Sequence, residues 1–152
     1  MIKIIEYNSS YSKETYDHVM DIKVNELGWK KDATDLFDIE KIYLHRNGNF
    51  WIALDDHKVV GTIAIEDMGN NQGYLKRMYI KKEYRGTGMS SELLESLLKH
   101  AKSKNFKEVF LATTDNAQRA IAFYEKSGFK RIKFLPQNFE HYNDTVFFKI
   151  EL

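Results

Sequence analysis

The chain has 152 residues, 43% of them apolar, with 23 basic residues against 22 acidic ones, a formal net charge of +1 and no cysteine. That length fits a single domain, residues 1–152, able to bury roughly two thirds of its unfolded surface. The charge balance argues against a general nucleic-acid binder and gives no reason for attraction to a membrane surface. The missing cysteines exclude disulfides, thiolate metal sites and a cysteine nucleophile, and they fit a reducing cytoplasm. No apolar run approaches a membrane span, and the Met1–Glu6 start has no signal-peptide core.

In chain order, Ile2 to Tyr7 is apolar and β-branched and reads as a strand. Ser12 is placed to cap a helix running to about Glu26, and a second helix is expected from about Thr34 to His45. Asn47-Gly48-Asn49 is a stop signal. A hairpin follows, with strands Phe50–Leu54 and Val59–Ile65 around a turn at Asp55–Lys58. After a polar loop from Asp67 to Gly73, Tyr74 to Ile80 is a fourth strand. Lys81 to Gly88 is a loop, and Ser90 to Lys104 is the clearest helix, with Leu93, Leu94, Leu97, Leu98 and Ala101 on one face and Asn105 as a left-handed stop. Val109–Ala112 is a short strand, Gln118–Lys126 a helix closed by Gly128, and Phe129–Phe134 and Thr145–Ile150 are the last strands. The order β-α-α-β-β-β-α-β-α-β-β implies an α/β (α+β) fold. Its sheet is mixed and mostly antiparallel, with about seven strands flanked by about four helices.

The loop after the fourth strand carries the most chemistry. Arg85-Gly86-Thr87-Gly88-Met89-Ser90 opens directly into an amphipathic helix, whose first-turn N–H groups and dipole favour an anion. Two glycines let a phosphate approach the backbone, and Lys81, Lys82 and Arg85 add positive charge. It is neither a Walker loop, since no Lys-Ser/Thr pair follows the second glycine, nor a dinucleotide loop, since the third glycine position falls on Ser91. Taken alone, it also reads as an ordinary tight strand–helix turn.

A second segment, Ala120 to Phe129, is a short helix ending in Phe123-Tyr124-Glu125-Lys126-Ser127-Gly128-Phe129. With both segments in this order, the chain resembles the GNAT N-acetyltransferase superfamily from about Phe50 onward. Its first signature is matched by Arg85 to Ser90, with Ser90 in place of the usual Gly or Ala, and its second by Phe123 to Phe129.

The resemblance implies transfer of an acetyl group from acetyl-CoA to the primary amine of a small molecule or peptide. It implies a fourth strand splayed from the fifth, with Met78, Tyr79 and Ile80 facing the pantetheine arm through their backbone. The diphosphate is then expected on the amides of Arg85, Gly86, Thr87, Gly88, Met89 and Ser90, with Asn116 touching the coenzyme. The resemblance makes Tyr124 the acid that protonates the departing thiolate. The general base is less plainly written. Tyr74 occupies the usual fourth-strand position and residues 108–113 hold no internal acid, which leaves Glu66, itself readable as a solvated strand-end acid. Water alone is the other candidate. Trp29, Phe37, Tyr43, Phe139, His141 and Tyr142 are expected to wall the acceptor pocket. Homodimers occur in the family, and the five histidines show no metal-ligand spacing. Two other readings compete: a non-catalytic acyl-CoA sensor or scaffold, and a nucleotide-phosphate binder using only the glycine loop.

Overall fold

A computed structural model describes residues 1–152. The strands are β1 (Ile2–Glu6), β2 (Asn49–Asp55), β3 (Lys58–Asp67), β4 (Gln72–Ile80), β5 (Glu108–Thr113), β6 (Lys130–Ile132) and β7 (Val146–Glu151). They form one 7-stranded sheet in the order β1-β2-β3-β4-β5-β7-β6. Every pairing is antiparallel except β4 with β5. Four helices cover it: α1 (Ser12–Asp21), α2 (Ile39–Ile42), α3 (Met89–Ser103) and α4 (Gln118–Lys126).

The sheet separates two cores. The larger, of 20 buried residues, joins α3 and α4 to one face through Leu93, Leu97, Ile121 and Phe148. The smaller, of 11, joins α1 and α2 to the other through Val19, Ile39, Tyr43 and Phe50. Gly61 lets α3 approach closely, since a Cβ there would lie 2.9 Å from the Met89 sulfur and 3.1 Å from Leu93.

Two expectations about the first half are corrected. Ser12 does not cap α1: Asn8 accepts from the Ser10 amide at 3.1 Å and caps a preceding 3-10 turn, while α1 starts with no side-chain cap. The long helix expected at Thr34–His45 is a 3-10 turn (Thr34–Phe37) and a single α turn, broken at Asp38 with φ −145° and ψ 46°. The break lets both Asp35 and Tyr43 reach one point on β4, so tertiary contacts override helical spacing. The first helix does reach Glu26, but its end, Ile22–Glu26, is a π-turn.

His18 of α1 is 3% exposed, and its Nε2 lies 3.0 Å from the Tyr79 carbonyl oxygen. Burial drives its pKa down to about 4, so the ring is neutral and donates to that carbonyl through Nε2–H. The unfolded chain therefore takes up a proton between about pH 6.5 and 4 that the folded chain refuses, and stability falls as pH drops through that window. The full effect is about 3 kcal/mol. Urea unfolding of His18→Gln should show a flatter pH dependence from 6.5 to 4 than the parent; equal slopes contradict this assignment.

Candidate active site

β4 and β5 are hydrogen-bonded only from Gln72–Glu108 to Tyr74–Phe110, although β4 runs on to Ile80 and β5 to Thr113. Past Tyr74 the two strands part. β5 keeps its other neighbour, pairing with β7 out to Thr113–Val146, so the gap is a wedge between β4 and β5.

The wedge coincides with a bulge. Lys76 sits opposite Ala64 and Tyr79 opposite Thr62, so Arg77 and Met78 share the single partner position of Ile63. Arg77 takes φ +55°, a conformation costing a non-glycine residue about 1–2 kcal/mol. It is held there at both ends: Thr62 Oγ1 donates to the Arg77 carbonyl at 2.8 Å, and the guanidinium forks onto Asp35 at 2.6 and 3.0 Å. Burial alone would raise the Asp35 pKa, but Arg77 and the Tyr43 hydroxyl hold it below the usual range. As a result Leu75 and Met78, three residues apart, both pack on the larger core, and Met78 faces the wedge.

Tyr124 of α4 closes the floor. It is 6% exposed, in edge contact with Phe123 and Phe129, and its hydroxyl lies 3.5 Å from the Met78 sulfur. Burial, and then the neighbouring Tyr79, push its pKa far above that of a free phenol. The phenol therefore stays protonated at neutral pH and is a donor facing the wedge.

At the wide end, the chain turns through a 3-10 segment (Lys82–Tyr84) into Gly86 and Gly88, with φ +77° and +90°. A Cβ at either glycine meets nothing within 4 Å, so backbone conformation rather than crowding selects glycine, and the space above is open. The Arg85 amide bonds to the Lys82 carbonyl, and the first α3 bond runs from Glu92 to Gly88. The amides from Gly86 to Ser91 are thus left without a backbone acceptor, a concave run suited to an anion. Thr87 Oγ1 donates to the Tyr84 carbonyl and fixes the turn. The Arg85 side chain is not aimed at this nest: its Nε donates to the Ile80 carbonyl at 3.1 Å and its Nη2 pairs with Glu26 at 2.8 Å.

The remaining residues singled out from sequence lie on several separate elements. Asn116 is on the exposed loop before α4, accepting from Thr114 Oγ1 at 2.6 Å. Glu66 lies opposite Tyr74 on β3 and pairs with Lys76 at 2.8 Å. Of the aromatic residues expected at the acceptor pocket, Phe139 is buried against Tyr74 and Phe110, and Phe37 stacks on Tyr16 beside an open hollow that also includes Tyr7. Tyr43 is fully buried and bonded to Asp35. Tyr142, with Lys31 3.5 Å over its ring, and His141, against Phe147, lie on the loop leading to β7.

Sequence reasoning missed Asp144 and read Tyr79 for its backbone alone. Tyr79 is more than a backbone position: its side chain lies by Arg77. Asp144, just before β7, is partly buried and its charge reaches Tyr74 and Tyr79; burial raises its pKa, opposed only by His141. Neither belongs to a local motif, because chain crossing brings β4 and the β7 approach together.

An amide nest, a strand edge without a partner and a buried neutral phenol follow one another along the end of β4, an order suited to a long phosphorylated ligand whose far end meets the phenol. Comparison with known proteins agrees. The chain is 33% identical over 103 residues to mouse "Probable N-acetyltransferase family 8 member 5", a match covering 64% of this chain and 45% of that protein. The chain thus spans about half the length of the curated relatives it matches. A crystal structure of a GNAT-family acetyltransferase from Staphylococcus aureus Mu50 superposes with a TM-score of 0.94 at 35% identity, covering 99% of each chain. The PaiA N-acetyltransferase of Thermoplasma acidophilum, solved with coenzyme A, shares the fold at TM-score 0.79 and 17% identity over 100% of this chain and 99% of its own. The model of the Acetyltransferase (GNAT) family matches residues 12–129, and the chain belongs to that family.

Proposed function

We propose that this single domain is an acetyl-CoA-dependent N-acetyltransferase that acetylates a primary amine by direct attack on the thioester. The observation that carries this is the succession of unpaired Gly86–Ser91 amides, the β4 edge that β5 leaves unpaired, and the Tyr124 hydroxyl against Met78 of that edge. Residues Gly86, Thr87, Gly88, Met89 and Ser90, with the Arg85 backbone, hold the diphosphate. The Met78–Ile80 edge receives the pantetheine arm, and Asn116 meets the coenzyme at the rim. Because the Ile80 carbonyl already accepts from Arg85, Met78 is the freer backbone partner, and Arg85 acts by setting the loop. The Met78 or Ile80 amide polarises the thioester carbonyl as negative charge develops on its oxygen.

Bond formation from amine nitrogen to acetyl carbon expels a thiolate, and Tyr124 supplies it with a hydrogen bond. Its raised pKa makes full transfer of the proton to sulfur uphill, so the phenol stabilises charge on the leaving sulfur more than it neutralises it. Tyr124→Phe should lower kcat by about 10²-fold or more with little change in the KM for acetyl-CoA. An unchanged kcat removes Tyr124 from the chemistry.

Two carboxylates can take the ammonium proton. Glu66 is tied to Lys76. Asp144 carries no such tie, and burial raises its proton affinity. Asp144→Asn should therefore cost more activity at pH 7 than Glu66→Gln, with the loss shrinking as pH rises and the amine deprotonates unaided. The reverse ranking assigns the base to Glu66, and two mild losses assign it to water.

Gly88→Ala places a methyl-bearing residue at φ +90°. It should cost about 1–2 kcal/mol of stability and weaken coenzyme binding, read by calorimetry. Undiminished affinity contradicts the phosphate nest.

A non-catalytic acyl-CoA sensor would bind the coenzyme without releasing thiol on any amine. The balanced charge and absent cysteines support a cytoplasmic protein free of nucleic acid, and no helix is long and apolar enough to cross a membrane. The short outer strand β6 is an edge through which a homodimer could form.

A further inference from the structure

Lys23 has no part in the acyl-transfer chemistry above, yet it is buried, with 6% of its surface exposed. It comes from the π-turn that ends the first helix, where the Leu27 amide reaches back to the Ile22 carbonyl at 3.1 Å and the Trp29 amide to the Lys23 carbonyl at 2.7 Å. The turn carries two consecutive residues, Ile22 and Lys23, inward. Such inserted turns recur where a helix must aim a side chain at a site.

The ammonium donates to the Lys31 carbonyl at 2.8 Å, the one acceptor the protein gives it. Two of its protons remain unassigned. The charges around it are those of Arg77 and Lys31 on one side and Asp35 and Asp32 on the other. Both carboxylates are engaged: Asp35 by Arg77 and Tyr43, Asp32 by the Tyr16 hydroxyl at 2.6 Å. Lys31 and Asp32 are exposed and solvated, which leaves Lys23 and Arg77 facing the single carboxylate of Asp35 among the groups shielded from water. Buried charge is normally paired, so this cluster lacks one negative charge.

Its position relative to the reacting end is fixed by the same structure. Arg77 shares the β4 bulge with Met78, whose sulfur meets Tyr124, and Tyr79 is held at its carbonyl by His18 of the helix that leads to Lys23. The cluster therefore lies on the α1 side of β4, beside the wedge, with Asp144 acting on Tyr79 from the β7 side.

We infer that Lys23, backed by Arg77, receives a carboxylate of the acceptor, so that the amine acetylated is an amino acid or another short amino-carboxylate. The inference rests on the acetyltransferase reading and names its substrate class. A carboxylate supplies the one missing charge, whereas a phosphate dianion leaves an uncompensated charge among buried groups. The carboxylate anchors at Lys23 while the amino group turns to the thioester, gives up its proton and takes the acetyl group as sulfur departs.

The test follows thiol release from acetyl-CoA with the common L-amino acids, their α-carboxamides and aminoalkyl phosphates, on the full chain and on Lys23→Met, which keeps the apolar stem. The best free acid should exceed its own amide in kcat/KM by about tenfold or more, a charge-assisted contact being the difference. Lys23→Met should bring that ratio close to one through the KM for the acid, leaving the KM for acetyl-CoA and the turnover of the amide unmoved. An amide as good as its acid, a ratio that survives in Lys23→Met, or a preference for the phosphates overturns the inference. Thermal shifts in the presence of coenzyme A separate the two readings. Stabilisation by acids, lost in Lys23→Met, without thiol release on any amine retains the carboxylate site and sinks the enzymatic reading. Neither turnover nor shift sinks both.

Discussion

The structure depends on the place where β4 stops pairing with β5. Parallel strands normally stay in register for their shared length, because an unpaired amide in a protein interior costs free energy. Here three residue pairs are followed by separation, and the edge of β4 from Met78 to Ile80 has no strand partner on the β5 side. The separation is built in by the bulge at Arg77, an unfavourable backbone conformation held by Thr62 on one side and Asp35 on the other. Remove those restraints and the strand has less reason to leave its neighbour.

Much else is arranged around that bulge. The break at Asp38 exists to bring Asp35 and Tyr43 to Arg77, and the π-turn brings Lys23 to the same cluster. Met78 is rotated onto the face where Tyr124 waits, while Tyr79 takes the opposite face beside Arg77. The buried ion pair is thus a positioning device: its net stabilisation is small once desolvation is counted, but its geometry is specific. The amide nest at Gly86–Ser91 sits outside this strain and needs only left-handed glycines and a helix start.

Period and punctuation made the second half of the chain legible. Gln118–Lys126 is the helix that its apolar spacing indicated, Asn105 takes φ +64° as the stop residue expected after α3, and the hairpin around Asp56 closes as read. The left-handed glycines of the loop and the helix that carries Tyr124 were legible because each lies in a short contiguous stretch of chain. The first half was harder, since Leu36, Ile39 and Tyr43 keep helical spacing through a segment that breaks. The decision lay with Arg77, some forty residues away in sequence. The contributions of Asp144, Tyr79 and Lys23 come from three separate stretches of chain, and no local pattern marks them as neighbours.

The most direct measurement is amide NMR of the full chain titrated with coenzyme A. The account predicts that the Gly86–Ser91 amides and that of Met78 shift and gain protection from exchange together, saturating with one ligand, while the β1–β2 amides stay still. Saturable binding that leaves the Gly86–Ser91 and Met78 amides unmoved would contradict it.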